Sequence, residues 1–245
     1  MTSSDLLPGL CPTGSLRVVI NLGNPVLAQG TPEAPTGVTV DIARELAERL
    51  GVELELTTVT AARHAYAALV EGHVDVGFLA IEPAREEGVR FTTPYVGIEG
   101  VFATGDTDLT VADVDREGIE IAVRSGSAYD LYLTRTIEHA TILRGDEAED
   151  VYEGGADVLA GVRQPVTVYA QQNGLTVLEP AFRAIRQAIA VPRDRPESQV
   201  AALTAVVEEL KGSGFVAASP GAGRSGRHDS RVLRSLRSKR HEGQG

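Results

Sequence analysis

The chain has 245 residues, is 42% hydrophobic and only 4% aromatic, lacks Trp, and carries a formal charge of −11. That length can bury a core large enough for two lobes, resting on Val, Leu, Ile and Ala, and the apolar content excludes a wholly disordered chain. The acidic balance disfavours a nucleic-acid backbone or an anionic membrane as partner, and Cys11, the single cysteine, excludes an internal disulfide.

Residues 1–15 mix Pro, Gly and Ser without periodicity and read as a flexible leader. No positive start with an apolar run marks an export signal, and no apolar stretch reaches the roughly 20 residues that span a bilayer. The chain as written therefore reads as cytoplasmic. Leu16 to Asn21 is a first strand, broken by Gly23-Asn24-Pro25. Gln29 to Gly37 reads as a surface loop. A helix spans about Asp41 to Leu50, closed by Gly51. A strand over Val52 to Val59, a helix over Ala61 to Glu71 and an apolar strand over Val74 to Ile81 follow. This alternation predicts parallel α/β layering.

The second half repeats the pattern. Ile119 to Val123 is a strand, Ala128 to Ile137 a helix and Thr141 to Leu143 a short strand. Val158 to Ala160 and Leu175 to Leu178 are strands with helix Val166 to Gln172 between them, and strand Ala184 to Val191 precedes helix Glu197 to Lys211. From Pro220 onward seven Arg or Lys sit among Gly and Ser without apolar periodicity, a disordered basic tail.

Open parallel sheets bind ligands beyond the carboxyl ends of their strands. Three loops there hold chemistry: Asn21 to Pro25, then Glu82-Pro83-Ala84-Arg85 after Ala80, then Arg124-Ser125-Gly126-Ser127. Ser127 is placed to cap the following helix; the turn is either an ordinary capped helix start or one whose open N–H groups, with the helix dipole, suit a carboxylate or phosphate. Arg85 either clamps a carboxylate with two parallel hydrogen bonds or forms a surface salt bridge with Glu82 or Glu86. The five His show no metal-ligand spacing, and no nucleophile elbow or dinucleotide fingerprint is present. The residues therefore suggest no catalytic set, metal or cofactor.

Gly37-Val38-Thr39-Val40-Asp41-Ile42-Ala43 resembles the opening of the first helix of family 3 extracellular solute-binding proteins. Asp75-Val76-Gly77-Phe78, then Glu82-Pro83-Ala84-Arg85, then Phe91-Thr92-Thr93-Pro94-Tyr95 resembles that family's central signature. The resemblance implies an α/β fold of the type II periplasmic-binding-protein kind, two-lobed with two hinge crossings near Gly100–Gly105 and Arg183–Gln187. Each lobe is expected to have its own sheet rather than share a continuous one. Lobe one would take residues 16–102 plus 187–218, lobe two 106–183, and 219–245 the tail. The family's members pass amino acids and related polar solutes to membrane transporters, which implies uptake or sensing and an extracellular or periplasmic location, against the cytoplasmic reading of the chain as written. The implied partners are a small carboxylate-bearing ligand and an ABC transporter permease, with the chain a monomer.

Carried over residue by residue, Arg85 holds the ligand's carboxylate, and Ser127 and nearby N–H groups add the second lobe's share. Asn21, Asn24, Ala80 and Ser125 complete the expected wall. The family usually has Thr or Ser where Glu82 stands, and an ammonium-binding Asp near the position of Val162 and Arg163. Glu82 takes over for that Asp, or the ligand is more anionic and Arg163 meets a second carboxylate, or Glu82 merely sits at a helix start and touches no ligand; between the first two, the change of charge favours the second. The alternatives to binding are a dehydratase like the cyclohexadienyl dehydratases, acting on a cyclic carboxylate, and an interaction protein whose pocket has decayed. Truncation after Ser219 is expected to change unfolding free energy by less than about 0.5 kcal/mol, as for surface changes away from packing features; thermal or denaturant melts of both lengths check it.

Overall fold

The computed structural model describes residues 7–219. The tail beyond Ser219 and residues 1–6 of the leader lie outside the described residues. β1 (Ser15–Asn21) opens the first half, followed by the hairpin β2 (Gln29–Thr31) and β3 (Ala34–Thr36), α1 (Val38–Leu50), β4 (Glu53–Val59), α2 (Ala62–Val70) and β5 (Val76–Ala80). The 16-residue strand β6 (Val89–Thr104) then leaves for the second half. That half holds β7 (Glu120–Arg124), α3 (Ala128–Thr136), β8 (Thr141–Gly145), α4 (Ala148–Glu153), β9 (Val158–Val162), α5 (Arg163–Asn173) and β10 (Thr176–Val177). β11 (Arg183–Pro192) returns, and α6 (Glu197–Gly212) and α7 (Phe215–Ala218) follow.

The strand order is β4-β1-β5-β11-β6-β9-β7-β8, with β10 beside β6. β1 pairs in parallel with β4 and β5, and β7 with β8 and β9, as the βαβ pattern predicts. Between these blocks β11 runs antiparallel to both β5 and β6, and β6 antiparallel to β9. The layering is thus mixed rather than parallel. The ladder is also continuous, which corrects the expectation of a separate sheet in each lobe: β6 and β11 cross at the expected places but remain paired from Val89↔Pro192 to Gly100↔Arg183. The length of β6 was hidden because Thr92-Thr93-Pro94 interrupts its apolar pattern. Pro94 opposes Ala188 beside a register shift, and such an irregularity tolerates a residue without an N–H.

Side chains alternate across this sheet with the two-residue strand period. Leu16, Val18 and Ile20 of β1, Phe78 of β5, Ile98 of β6, Ile121 of β7 and Ile189 of β11 share one buried cluster with Ile42 and Leu46 of α1, Leu133 of α3 and Leu203 of α6. On the opposite face, Val19, Leu79 and Ala190 pack with Ala65 and Leu69 of α2. In the second half Val101, Ala122 and Leu159 pack with Ala148 of α4 and Val166 of α5. Asp75, fully buried, accepts from Arg17 at 2.9 and 3.0 Å and from Arg195 at 2.9 Å, pinning the start of β5 to β1 and to the turn before α6.

Helix α1 begins at Val38, three residues before the expected start at Asp41. Gly37 supplies its first acceptor to Asp41 N–H at 3.0 Å, from a φ of 108° that side-chain-bearing residues rarely adopt. A Cβ there would also stand 2.6 Å from the Leu27 carbonyl. The β-branched run Val38-Thr39-Val40 is helical because tertiary burial outweighs its weak helix propensity. The loop expected over Gln29 to Gly37 contains the exposed β2–β3 hairpin.

The leader is ordered where it is described. Leu7–Leu10 form a 3-10 turn, Leu10 is fully buried in the main cluster, and Arg195 donates to the Gly9 carbonyl at 2.9 Å. One anchoring side chain leaves no periodicity for a sequence reading to detect. Leu10→Ala is expected to cost about 2 kcal/mol, the low end for a large-to-small core change, where a loose leader predicts no effect; chemical denaturation checks it.

Candidate functional site

A cavity of about 250 Å³ lies between the halves, at the carboxyl ends of β1, β5 and β7. Of the expected site residues, Asn21, Asn24, Ala80, Arg85, Ser125 and Ser127 line it. Glu82 and Arg163 do not. Glu82 is fully buried beside the cavity and ion-paired with Arg135 at 2.8 Å and Arg183 at 2.6 Å. Arg163 bonds to Glu99 and Glu179, partners that hold its pKa above the ordinary arginine value. β9 ends at Val162, so Val162 faces the cavity while Arg163, the first residue of α5, turns toward the β10–β11 connection.

Arg85 closes a short 3-10 turn after Pro83 and is 3% exposed. It donates to the Ala80 carbonyl at 3.1 Å and, across the cleft, to the Gly126 carbonyl at 3.0 Å. Among the described residues it has no carboxylate within 4 Å, unlike the partly buried arginines Arg17, Arg183 and Arg195, each of which has an acidic partner. Loss of solvent lowers its pKa to about 10, so it remains cationic at neutral pH.

Of the two readings of the Ser125-Gly126-Ser127 turn, the structure shows the ordinary capped helix start and not the open anion cradle. Ser125 N–H donates to the Gly145 carbonyl at 2.8 Å, Gly126 N–H to the Asp130 carboxylate at 2.8 Å, and Ser127 N–H to the Arg124 carbonyl at 3.1 Å. Ser127 Oγ accepts Asp130 N–H at 3.0 Å, the expected helix cap. The turn instead presents carbonyls to the first half: Ser125 to Arg63 at 3.0 Å and Gly126 to Arg85. The first-turn positions Ala128 and Tyr129 of α3 line the cavity beside it. Burial raises the Tyr129 phenol above its ordinary pKa.

Sequence reasoning missed Phe78, Arg124, Tyr129, Glu147, Glu149 and Gln187, which also line the cavity. The alternation of β5 and the place of Arg124 just before the turn were usable signals for two of these. Glu147 and Glu149 carried none. They reach the site because β7 and β8 pair with Arg124 opposite Gly145. Arg124 donates to Glu147 at 2.6 Å and across the cleft to the Gly23 carbonyl at 3.0 Å. Gly23 has no room for a side chain, since a Cβ would lie 1.8 Å from the Thr60 carbonyl. Desolvation raises the Glu147 carboxyl, opposed by Arg124. No helix among the described residues is long and apolar enough to cross a membrane.

A mixed sheet crossed by two long strands, with a polar cavity between its halves, defines a two-lobed α/β fold. The chain belongs to the bacterial extracellular solute-binding proteins, family 3, whose family model matches residues 16–219. It is 26% identical over 193 residues to the virulence sensor protein BvgS of Bordetella bronchiseptica, covering 76% of this chain and 15% of that protein. It is 32% identical over 123 residues to membrane-bound lytic murein transglycosylase F of Ectopseudomonas mendocina, covering 47% of this chain and 24% of that one. The match thus spans under a quarter of the length of either relative. Among solved structures, a mutant of ArgBP from T. maritima superposes with a TM-score of 0.69 at 24% identity, covering 86% of this chain and 95% of that one. A binding component of an ABC transporter from Wolinella succinogenes, complexed with lysine, gives 0.70 at 20% identity, covering 91% and 99%. An ancestral amino acid-binding protein described as a precursor of cyclohexadienyl dehydratase gives 0.66 at 21%, covering 85% and 94%.

Ser127→Ala is expected to destabilise the chain by about 1 kcal/mol, the usual cost of losing a side-chain helix cap; a denaturant titration of the variant checks it.

Proposed function

We propose that this chain closes on one small carboxylate-bearing solute, an amino acid or near relative, outside the cytoplasm, and presents it to an ABC-type permease or a sensor partner. The observation that carries this reading is Arg85: a buried, charged guanidinium at the cavity wall whose protein acceptors are two neutral carbonyls. Burial of this cation is costly and the nearby Glu82 carboxylate offsets it only at a distance, pairing directly with other arginines, so a ligand carboxylate supplies the missing direct partner. The volume of about 250 Å³ suits a single small solute, lying just under the roughly 300–1,000 Å³ typical of drug-sized sites.

The rest of the wall favours a zwitterion over a dicarboxylate. Arg124 is neutralised by Glu147, which leaves Glu149 as a carboxylate for a ligand ammonium. Arg163, held by two glutamates away from the cavity, is not available for a second ligand carboxylate. A dehydratase here would need an acid and a second clamp beside Arg85, and the candidates Glu82 and Arg163 do not line the cavity. The related structures include an ancestral arginine-binding protein bound to arginine or to glutamine and a transporter component complexed with lysine, which makes these the first ligands to try. The lobes are proposed as 16–102 plus 187–218 and 106–183, with the boundaries within the paired strands β6 and β11.

Calorimetry with L-arginine, L-lysine, L-glutamine and a dicarboxylate tests the reading. Arg85→Ala is expected to weaken binding by about 2–5 kcal/mol, the range for truncating a buried hydrogen-bonded charge pair. Arg85→Lys should recover only part of it, because an ammonium lacks the planar fork. Unchanged affinity in Arg85→Ala removes the carboxylate-clamp role.

A further inference from the structure

Glu82 is the one expected ligand contact that the structure places deep inside the protein yet away from the cavity wall. It follows β5 in the first half, at the point where Ala80 pairs with Gln187 of β11. Both of its partners lie beyond that point. Arg183 opens β11 opposite Gly100, and Arg135 sits in the last turn of α3, in the second half. Glu82 Oε2 accepts from Arg135 at 2.8 Å, and Oε1 stands 2.6 Å from Arg183. The Arg183 guanidinium lies 4.4 Å from the ring centre of Tyr132, one turn before Arg135 on α3, and Tyr132 stacks in turn on Phe182.

The charges make this cluster conditional on Glu82. Arg85, Arg135 and Arg183 converge on one buried carboxylate that pairs with two of them and stabilises the charge of the third. Without it, three cations face one another across the cleft in a medium where like charges repel strongly. When the halves part, water can solvate each of them and the repulsion fades. The carboxylate therefore favours the closed arrangement over the open one without touching a ligand.

We infer that Glu82, through Arg135 and Arg183, is a positioning residue that sets the open–closed balance of the two halves and so scales affinity for every ligand alike. This rests on the reading of the chain as a protein that closes on its solute. It explains why an acid can stand where the resembled family usually has a hydroxyl: its role is the hinge, not the ammonium.

The test uses the full chain with nitroxide labels at Glu48→Cys and Gln171→Cys, one on each half, in a Cys11→Ser background. Pulsed electron-spin distance measurements are made without ligand and with L-arginine, L-lysine or L-glutamine, beside calorimetry on the unlabelled chain. Glu82→Gln should move the ligand-free distances toward an open population. It should also weaken each probe that the wild type binds by the same factor, about tenfold, as expected for a shift in a two-state equilibrium. Arg135→Gln, at a partly exposed side chain, should reproduce both effects even if Glu82→Gln fails to fold. In the double variant the two losses should not add. Loss confined to one probe, with distances unchanged, would make Glu82 a ligand contact and overturn the inference, as would unchanged distances with unchanged affinities. If the wild type binds none of the probes, the proposed ligand class fails instead, and the ligand-free distances alone decide the role of Glu82.

Discussion

The antiparallel pairing of β6 with β11 is the constraint on which the rest of this molecule depends. Two long strands held side by side from Val89↔Pro192 to Gly100↔Arg183 carry the chain between the halves and fix how those halves face each other. They also interrupt the parallel order on either side, so β1 and β7 both deliver their carboxyl-end loops to one cleft. The register shifts around Gln187, Ala188 and Ala190 fall where the ladder passes the cavity, and Gln187 lines it there. A paired ribbon with irregularities can flex as a hinge while its ends remain hydrogen-bonded to rigid blocks.

Across the cleft, the contacts between halves are mostly made by arginine. Arg63 and Arg85 donate to the carbonyls of the Ser125–Gly126 turn, Arg124 donates to the Gly23 carbonyl, and Arg135 to the Glu82 carboxylate. A guanidinium suits this task because its rigid fork of donors satisfies acceptors on two walls at once. The same arrangement explains why the N–H groups of the turn are turned inward: Asp130 and the strand carbonyls hold them, so that the carbonyls face out. Under the proposed function, closure and ligand binding would draw on one set of cations, with Arg85 common to both.

The acidic balance of the chain also takes a local form here. The cavity wall is close to charge-neutral, with Arg85 and Arg124 against Glu147 and Glu149, although the chain as a whole is at −11. Net charge therefore describes the surface and its solubility, while the site is governed by which of its few charges are already paired.

The sequence by itself determined the order of strands and helices in the two βαβ blocks apart from α4 and the β2–β3 hairpin, the capping role of Ser127, and the place of Arg85 beyond β5. These follow from local rules: apolar period, turn residues, and the position of a loop after a strand. Tertiary structure decided the remainder. That Val38-Thr39-Val40 is helical, that Leu10 is core, and that β6 runs on through Pro94 depend on burial and pairing with distant segments. Glu147 and Glu149 enter the site only through the register of β7 on β8, and Gln187 only through the crossing strand. Glu82 and Arg163 leave it because Arg135, Arg183, Glu99 and Glu179, each far away in sequence, pair with them first. A loop's address is written locally, but which way its charges point is settled by opposite charges that only the fold brings near.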